Sequence, residues 1–273
     1  MVEGLAPVDP KWIDVTSHCS TLQVEEGEDG TVRRAVFKKC PGTIGICGII
    51  QNRFKIDTVA HMLSDGFTRE ETEDALIELN FLGVENILAL RGDGSNYEKP
   101  PLNGRSTNAF AVDLVKQAAE LRRGEFIESM SKCASLDFCV GVAGYPEKHF
   151  EAANLDLDVR RLKEKVDAGA AYVVTQMFFD NQKFYAFVAR CRTAGITVPI
   201  IPGLKILRSV NQLKSVPRAF YVELPSALTD EIHESPEHVV EIAQRWAETQ
   251  TKDLLNNGYH NVHFYVMVDR KFN

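Results

Sequence analysis

The chain has 273 residues, enough for one large domain or two small ones with a sizeable core. Apolar residues make up 44% and charged residues 25%, an ordinary globular balance. A formal net charge of −7 argues against a nucleic-acid-binding surface, and no run of about 18 apolar residues is present to cross a membrane.

The amino terminus, "MVEGLAPVDPKW", lacks the basic and apolar segments of a secretory signal. Cys19, Cys40, Cys47, Cys133, Cys139 and Cys191 show no Cys-x-x-Cys spacing, so they read as reduced thiols of a cytoplasmic protein rather than disulfides or zinc ligands.

The first expected strand is "WIDVT" (12–16), followed by a charged, glycine-containing excursion or hairpin, "QVEEGEDGTVRR" (23–34). "TIGICGII" (43–50) reads as a second strand, carrying Cys47. Thr68 and Glu71 make a capping box for a helix that Gly83 is placed to stop. "NILAL" (86–90) suits a strand buried on both faces, and it runs into the long polar loop "GDGSNYEKPPLNGRS" (92–106). "FCVGVAGY" (138–145) is the fourth strand. Leu155, Val159, Leu162 and Val166 then form a helical stripe ending at Gly169. "YVVTQMFF" (172–179) leads to Asp180, which caps a helix burying Phe184, Phe187, Val188 and Cys191 before Gly195. "PIIPGL" (199–204) is the sixth strand. Ser235-Pro236 opens a long final helix containing Val239, Ile242, Ala243 and Trp246, and "NVHFYVM" (261–267) is the seventh strand.

Strands separated widely enough for helical crossovers predict a parallel α/β fold. Seven such strands are one short of a (β/α)8 TIM barrel. A doubly wound sheet is the alternative, but no Gly-x-Gly-x-x-Gly follows the first strand. The reading is a single barrel domain over residues 1–273.

In a barrel, chemistry gathers at the carboxyl ends of the strands. Here those ends carry Thr16-Ser17-His18, Arg91-Gly92-Asp93, and Tyr145-Pro146-Glu147 with His149 behind, while Gln176 interrupts the next strand. A single polar terminus would mean little; four point to a binding site. No nucleophilic triad spacing, P-loop or His-x-x-x-His pattern is present, so hydrolase and metal-centre readings are weak. Arg91 with its glycine suits an oxyanion or a planar ring. Arg161 and Lys165, one turn apart on "LDLDVRRLKEKV", read either as a solvated face or as partners of a pyrophosphate. Arg-Gly-Asp as a cell-attachment signal would need a secreted protein, which the amino terminus does not suggest.

The blocks "ALRGD", "AGYPEKH", "KVDAGAAYVVTQMFFD", "RCRTAGITVPIIPGL" and "HFYVM" together resemble the methylenetetrahydrofolate reductases, from about Pro10 to Tyr265. The resemblance implies a TIM barrel holding FAD, and reduction of 5,10-methylenetetrahydrofolate to 5-methyltetrahydrofolate with NADH or NADPH, within one-carbon metabolism and methionine biosynthesis. It implies FAD contacts from Thr16, Ser17, His61, Arg91, Gly92, Asp93, Ala111, Tyr145, His149, Asp158, Arg161 and Lys165. It also implies folate contacts from Gln176, Gln212 and Asp93, with Asp93 as a catalytic carboxylate, and no metal. Ser17 stands where an aromatic residue is usual, Glu164 where some relatives have Arg, and Arg270 lies one place from a folate-contacting arginine. The family's first strand, with a Phe-Glu-x-x-Pro-Pro motif whose Glu is the general acid, has no counterpart in the 273 residues. The expectation is therefore a barrel lacking its first β/α unit, with impaired activity. Alternatives are a folate- or flavin-binding protein with little catalysis and another FAD-dependent barrel oxidoreductase. Nicotinamide preference is open, and so is assembly into a homo-oligomer.

Overall fold

Strand and helix alternate as the apolar runs require, in a computed structural model that describes residues 2–27, 29–38, 41–92, 105–127 and 134–266. They fall into two compact units, Met1–Val142 with Asp167–Ala171, and Ala143–Val166 with Tyr172–Asn273.

The first unit contains α1 (Val2–Leu5), β1 (Trp12–Val15), β2 (Thr21–Glu26), β3 (Val32–Phe37), α2 (Thr43–Ile49), β4 (Asp57–Leu63), α3 (Arg69–Phe81), β5 (Asn86–Leu90), α4 (Ala111–Arg122) and the start of β6 (Cys139–Gly144). β1, β4, β5 and β6 are neighbours in that order and all parallel. β2 and β3 form the antiparallel hairpin expected of the charged excursion. Thr68 caps α3 reciprocally: its hydroxyl accepts from the Glu71 amide, and the Glu71 carboxylate accepts from the Thr68 amide. Gly83 follows with φ of 75°, a left-handed conformation that costs glycine little.

One strand is corrected. Residues 43–50 are not a strand: Thr43–Ile49 is helical and runs into a π-helical turn, Ile50–Phe54, which ends at Lys55 with φ of 57°. A short apolar run does not by itself distinguish strand from buried helix. Here only Cys47, Gly48 and Ile50 of the run are buried, and a Cβ on Gly48 would lie 3.0 Å from Leu82. The β-strand is Asp57–Leu63, in which Thr58, Val59, Ala60, Met62 and Leu63 are buried and the polar Asp57 and His61 mask the pattern.

The second unit holds α5 (Leu155–Asp167, all but its last residue), β7 (Tyr172–Met177), α6 (Asn181–Thr193), β8 (Ile200–Leu204), α7 (Gln212–Phe220), α8 (Ser226–Glu234), α9 (Val239–Asn256) and β9 (His263–Phe264). β7, β8 and β9 are parallel neighbours. β9 is shorter than the expected strand, although the Tyr265 amide still donates to Leu204 O. α7 and α8 were not anticipated. Their buried Val216, Leu228 and Ile232 join Met177, Phe179, Ile242 and Ala243 in one apolar cluster. Each of these side chains larger than alanine contributes about 1.5–3 kcal/mol by leaving water. Asp180 caps α6 through the Gln182 amide, and Phe184 inside that helix stacks on Phe178 at 5.0 Å.

The class is α/β and TIM-barrel-like, as the alternation requires. No helix of the described residues is long and apolar enough to cross a membrane.

Candidate active site

In the first unit, backbone bonds draw the ends of β4 and β5 together. Ser64 N donates to Leu90 O and Asp65 N to Arg91 O, each at 2.9 Å, so the chain at Arg91 is fixed before its side chain acts. Cys19 Sγ donates to Asp65 O at 3.2 Å, bringing in the segment that follows β1. Gly92 sits in this junction with φ of 104°, a value strained for other residues, and a Cβ there would contact Asp65, Leu63 and Cys19. Thr16 is exposed and Ser17 half-buried just beyond β1, and Thr16 O accepts from the Thr43 hydroxyl. His61 lies within β4, one strand from β1, with Nε2 3.5 Å from Asp14 Oδ1. Ala111 is the first residue of α4, whose start is held by Asp113 accepting from the Phe110 amide. Asp93 and Arg270 lie outside the described residues, as do Cys40 and Cys133.

The second unit gathers a polar cluster where β6 ends. Lys165 is half-buried, and its Nζ donates to Ala143 O at 2.8 Å. Burial lowers its pKa to about 8, against the opposing pull of Asp158. Burial also raises Asp158, whose Oδ2 accepts the His149 amide at 2.8 Å. The His149 ring meets Tyr145 edge-on at 4.8 Å. Between them Lys148 has φ of 95°, a strained backbone held by its own ammonium, which donates to the carbonyls of His149, Phe150 and Ala152. Tyr145, His149, Asp158 and Lys165 are thus one connected group. Arg161 stands apart: it is exposed and forked onto Glu164, at 2.9 Å to both oxygens. Arg161 thus fits the solvated-face reading, whereas Lys165, one turn on, turns inward.

Gln176 is half-buried near the end of β7, where its Oε1 accepts the Met177 amide. Gln212 is 8% exposed at the start of α7, with its Oε1 accepting the Arg208 amide. β7 and β8 shift register between Val174 and Met177, and Gly203 fits there because a Cβ would lie 2.3 Å from Thr175 O.

Sequence reasoning missed Asp14, Lys205 and the Lys183 and Glu223 partners of Glu147. Lys205 is 3% exposed just beyond β8; a cation following "PIIPGL" was the available signal. Glu147 forms ion pairs with Lys183, accepts the Glu223 amide and has its pKa raised by burial.

A sequence profile described as Methylenetetrahydrofolate reductase matches residues 2–272. The chain belongs to this family. Methylenetetrahydrofolate reductase 1 of Schizosaccharomyces pombe is 32% identical over 228 residues, covering 82% of this chain and 36% of that protein. The 5,10-methylenetetrahydrofolate reductase of Pectobacterium carotovorum is 30% identical over 269 residues, covering 97% of this chain and 78% of its own length. The chain spans about a third of the length of the yeast, nematode and maize relatives that it matches. Among solved structures, an uncharacterized protein from Clostridium thermocellum that binds two copies of 5-methyl-5,6,7,8-tetrahydrofolic acid aligns with a TM-score of 0.52. That alignment covers 82% of this chain and 72% of the other at 16% identity, a likeness of fold. Glu164 neutralises Arg161 across one helical turn, and Ser17 places a small hydroxyl just beyond β1.

Proposed function

We propose that this protein reduces 5,10-methylenetetrahydrofolate to 5-methyltetrahydrofolate, with FAD carrying electrons from NADH or NADPH, in the cytoplasm and in the service of one-carbon and methionine metabolism. The observation that carries the reading is the family match across residues 2–272, which contains every block from "ALRGD" to "HFYVM".

The donor set of each unit suits a flavin dinucleotide. In the second unit the Lys165 ammonium and the His149 imidazole offer a positive charge and a planar face, on a loop whose conformation Lys148 and Asp158 fix. In the first unit Arg91 carries a guanidinium, and Gly92 lets the chain turn away after it with a positive φ. Bound FAD would supply the hydride relay between nicotinamide and folate. Asp93 would place a negative charge beside the ring, holding the pterin and stabilising cationic folate species. Gln176 and Gln212 keep their carbonyl oxygens on the backbone, so their amide nitrogens are the donors offered to substrate.

The test is the visible spectrum of the purified protein with and without added FAD, followed by stopped-flow reduction with NADH or NADPH and reoxidation by methylenetetrahydrofolate. Flavin uptake and reoxidation by folate are expected. Uptake without reoxidation would favour a flavin-binding protein with little catalysis, and no uptake would overturn the reading. Asp93→Asn should keep the flavin and slow reoxidation by about tenfold or more, about 1.4 kcal/mol of barrier per tenfold.

A further inference from the structure

Trp12 and Asp14 on β1 and His61 on β4 form a half-buried polar row in the first unit. Asp14 is paired in register with Val59, so His61, two residues further along β4, projects to the same face. Trp12 Nε1 donates to Asp14 Oδ2 at 2.9 Å. Asp14 Oδ1 lies 3.5 Å from His61 Nε2, and the two side chains are 7% and 13% exposed. Neither facing atom is open to water, and at 3.5 Å the two are in ion-pair contact but beyond ordinary hydrogen-bond length.

We propose that Asp14 is a positioning residue that fixes His61 as its Nε2–H tautomer, so that the imidazole presents its Nδ1 lone pair to the bound ligand, which is FAD on the reading above. An unprotonated Nε2 would set its lone pair against a carboxylate oxygen, with no water to separate them. Nε2 therefore carries a proton whether the ring is neutral or charged, and in the neutral ring Nδ1 is the acceptor. Among the described residues no protein group makes a polar contact with Nδ1. An acceptor at that nitrogen matches an N–H on a ligand's planar edge, such as the one ring N–H of an oxidised flavin.

Trp12 makes the inference testable. In Asp14→Asn the indole N–H still needs an acceptor, which holds the amide oxygen on Trp12 and turns the NH2 towards His61. That amide donates to Nε2, so the ring proton must move to Nδ1. The variant has the shape of the parent and the opposite tautomer, whereas an Asp14 that only tethers β1 would leave the tautomer unchanged.

The experiment is a long-range 1H–15N correlation spectrum of the uniformly 15N-labelled 273-residue chain at about pH 8, above the ordinary imidazole range. His61 is assigned by the signals lost in His61→Gln. The parent is expected to show a protonated Nε2 and a bare Nδ1, and Asp14→Asn the reverse. FAD affinity in Asp14→Asn is expected to fall about tenfold, the scale of one lost hydrogen bond. A parent spectrum with the proton on Nδ1 would overturn the assignment without any variant, as would an unchanged tautomer in a folded Asp14→Asn. The spectra need no flavin: a parent that takes up no FAD counts against the flavin reading, while the tautomer still decides the role of Asp14.

Discussion

Lys165 ties the proposed cofactor site to pH with a definite sign. Its ammonium is turned onto Ala143 O, and burial lowers its pKa from 10.5 to about 8. Only the charged form attracts a pyrophosphate, so above that pKa the free protein must gain a proton before it binds. The cost is RT ln(1 + 10^(pH − pKa)), negligible at pH 7 and about a tenfold weaker affinity at pH 9. Quenching of FAD fluorescence on binding, titrated from about pH 7 to 9.5 at fixed ionic strength, reads this directly. Lys165→Arg keeps its charge and should flatten the profile, and Lys165→Met should bind weakly at every pH. Stability carries the opposite sign. Between pH 8 and 10.5 the unfolded chain holds a proton that the folded chain lacks, so this residue's contribution to stability rises with pH across that window. Lys165→Met should remove that rise from the urea-unfolding curves. A parent whose FAD affinity is flat to pH 9.5, or a methionine variant that binds as tightly as the parent, would refute the reasoning.

Gly203→Ala should lower stability by about 3 kcal/mol, the upper range for overpacking, because its Cβ would strike Thr175 O and lie 2.7 Å from the Tyr265 ring. Urea unfolding measures this, and a loss below about 0.5 kcal/mol would mean that the β7–β8 register relaxes freely. Thr68→Ala removes one half of the capping box on α3 and should cost about 1 kcal/mol, with Thr68→Ser recovering most of it. Phe184→Ala, at a fully buried position stacked on Phe178, should cost about 3–5 kcal/mol and shift the thermal midpoint accordingly; an unchanged midpoint would show that the site collapses around the smaller side chain.

Much of the chain is decided locally and is therefore legible in the sequence. The Thr68–Glu71 box, the Asp180 cap and the glycines at 83 and 195 act over three or four residues, and the helices they bound lie where the pattern places them. Apolar runs such as "NILAL" and "YVVTQM" are buried because every second residue finds cover on one face and the rest on the other. The candidate site was legible as a set of residue types at strand ends, and the family blocks gave their numbers. What the sequence could not supply was direction. Thr43–Ile49 and Asp57–Leu63 are both mixed apolar segments, and only pairing with β1 and β5 makes the second one the strand. Arg161 and Lys165 are one helical turn apart, yet one meets Glu164 in solvent and the other Ala143 O inside, because the surroundings of a helix and not its period decide which cations are desolvated. Asp14 and His61 are 47 positions apart and belong together only because β1 and β4 are parallel neighbours in one register. Caps and periodicity are short-range forces written in adjacent letters, whereas register, burial of charge and the proton on an imidazole depend on groups that only the folded chain brings within a few ångströms.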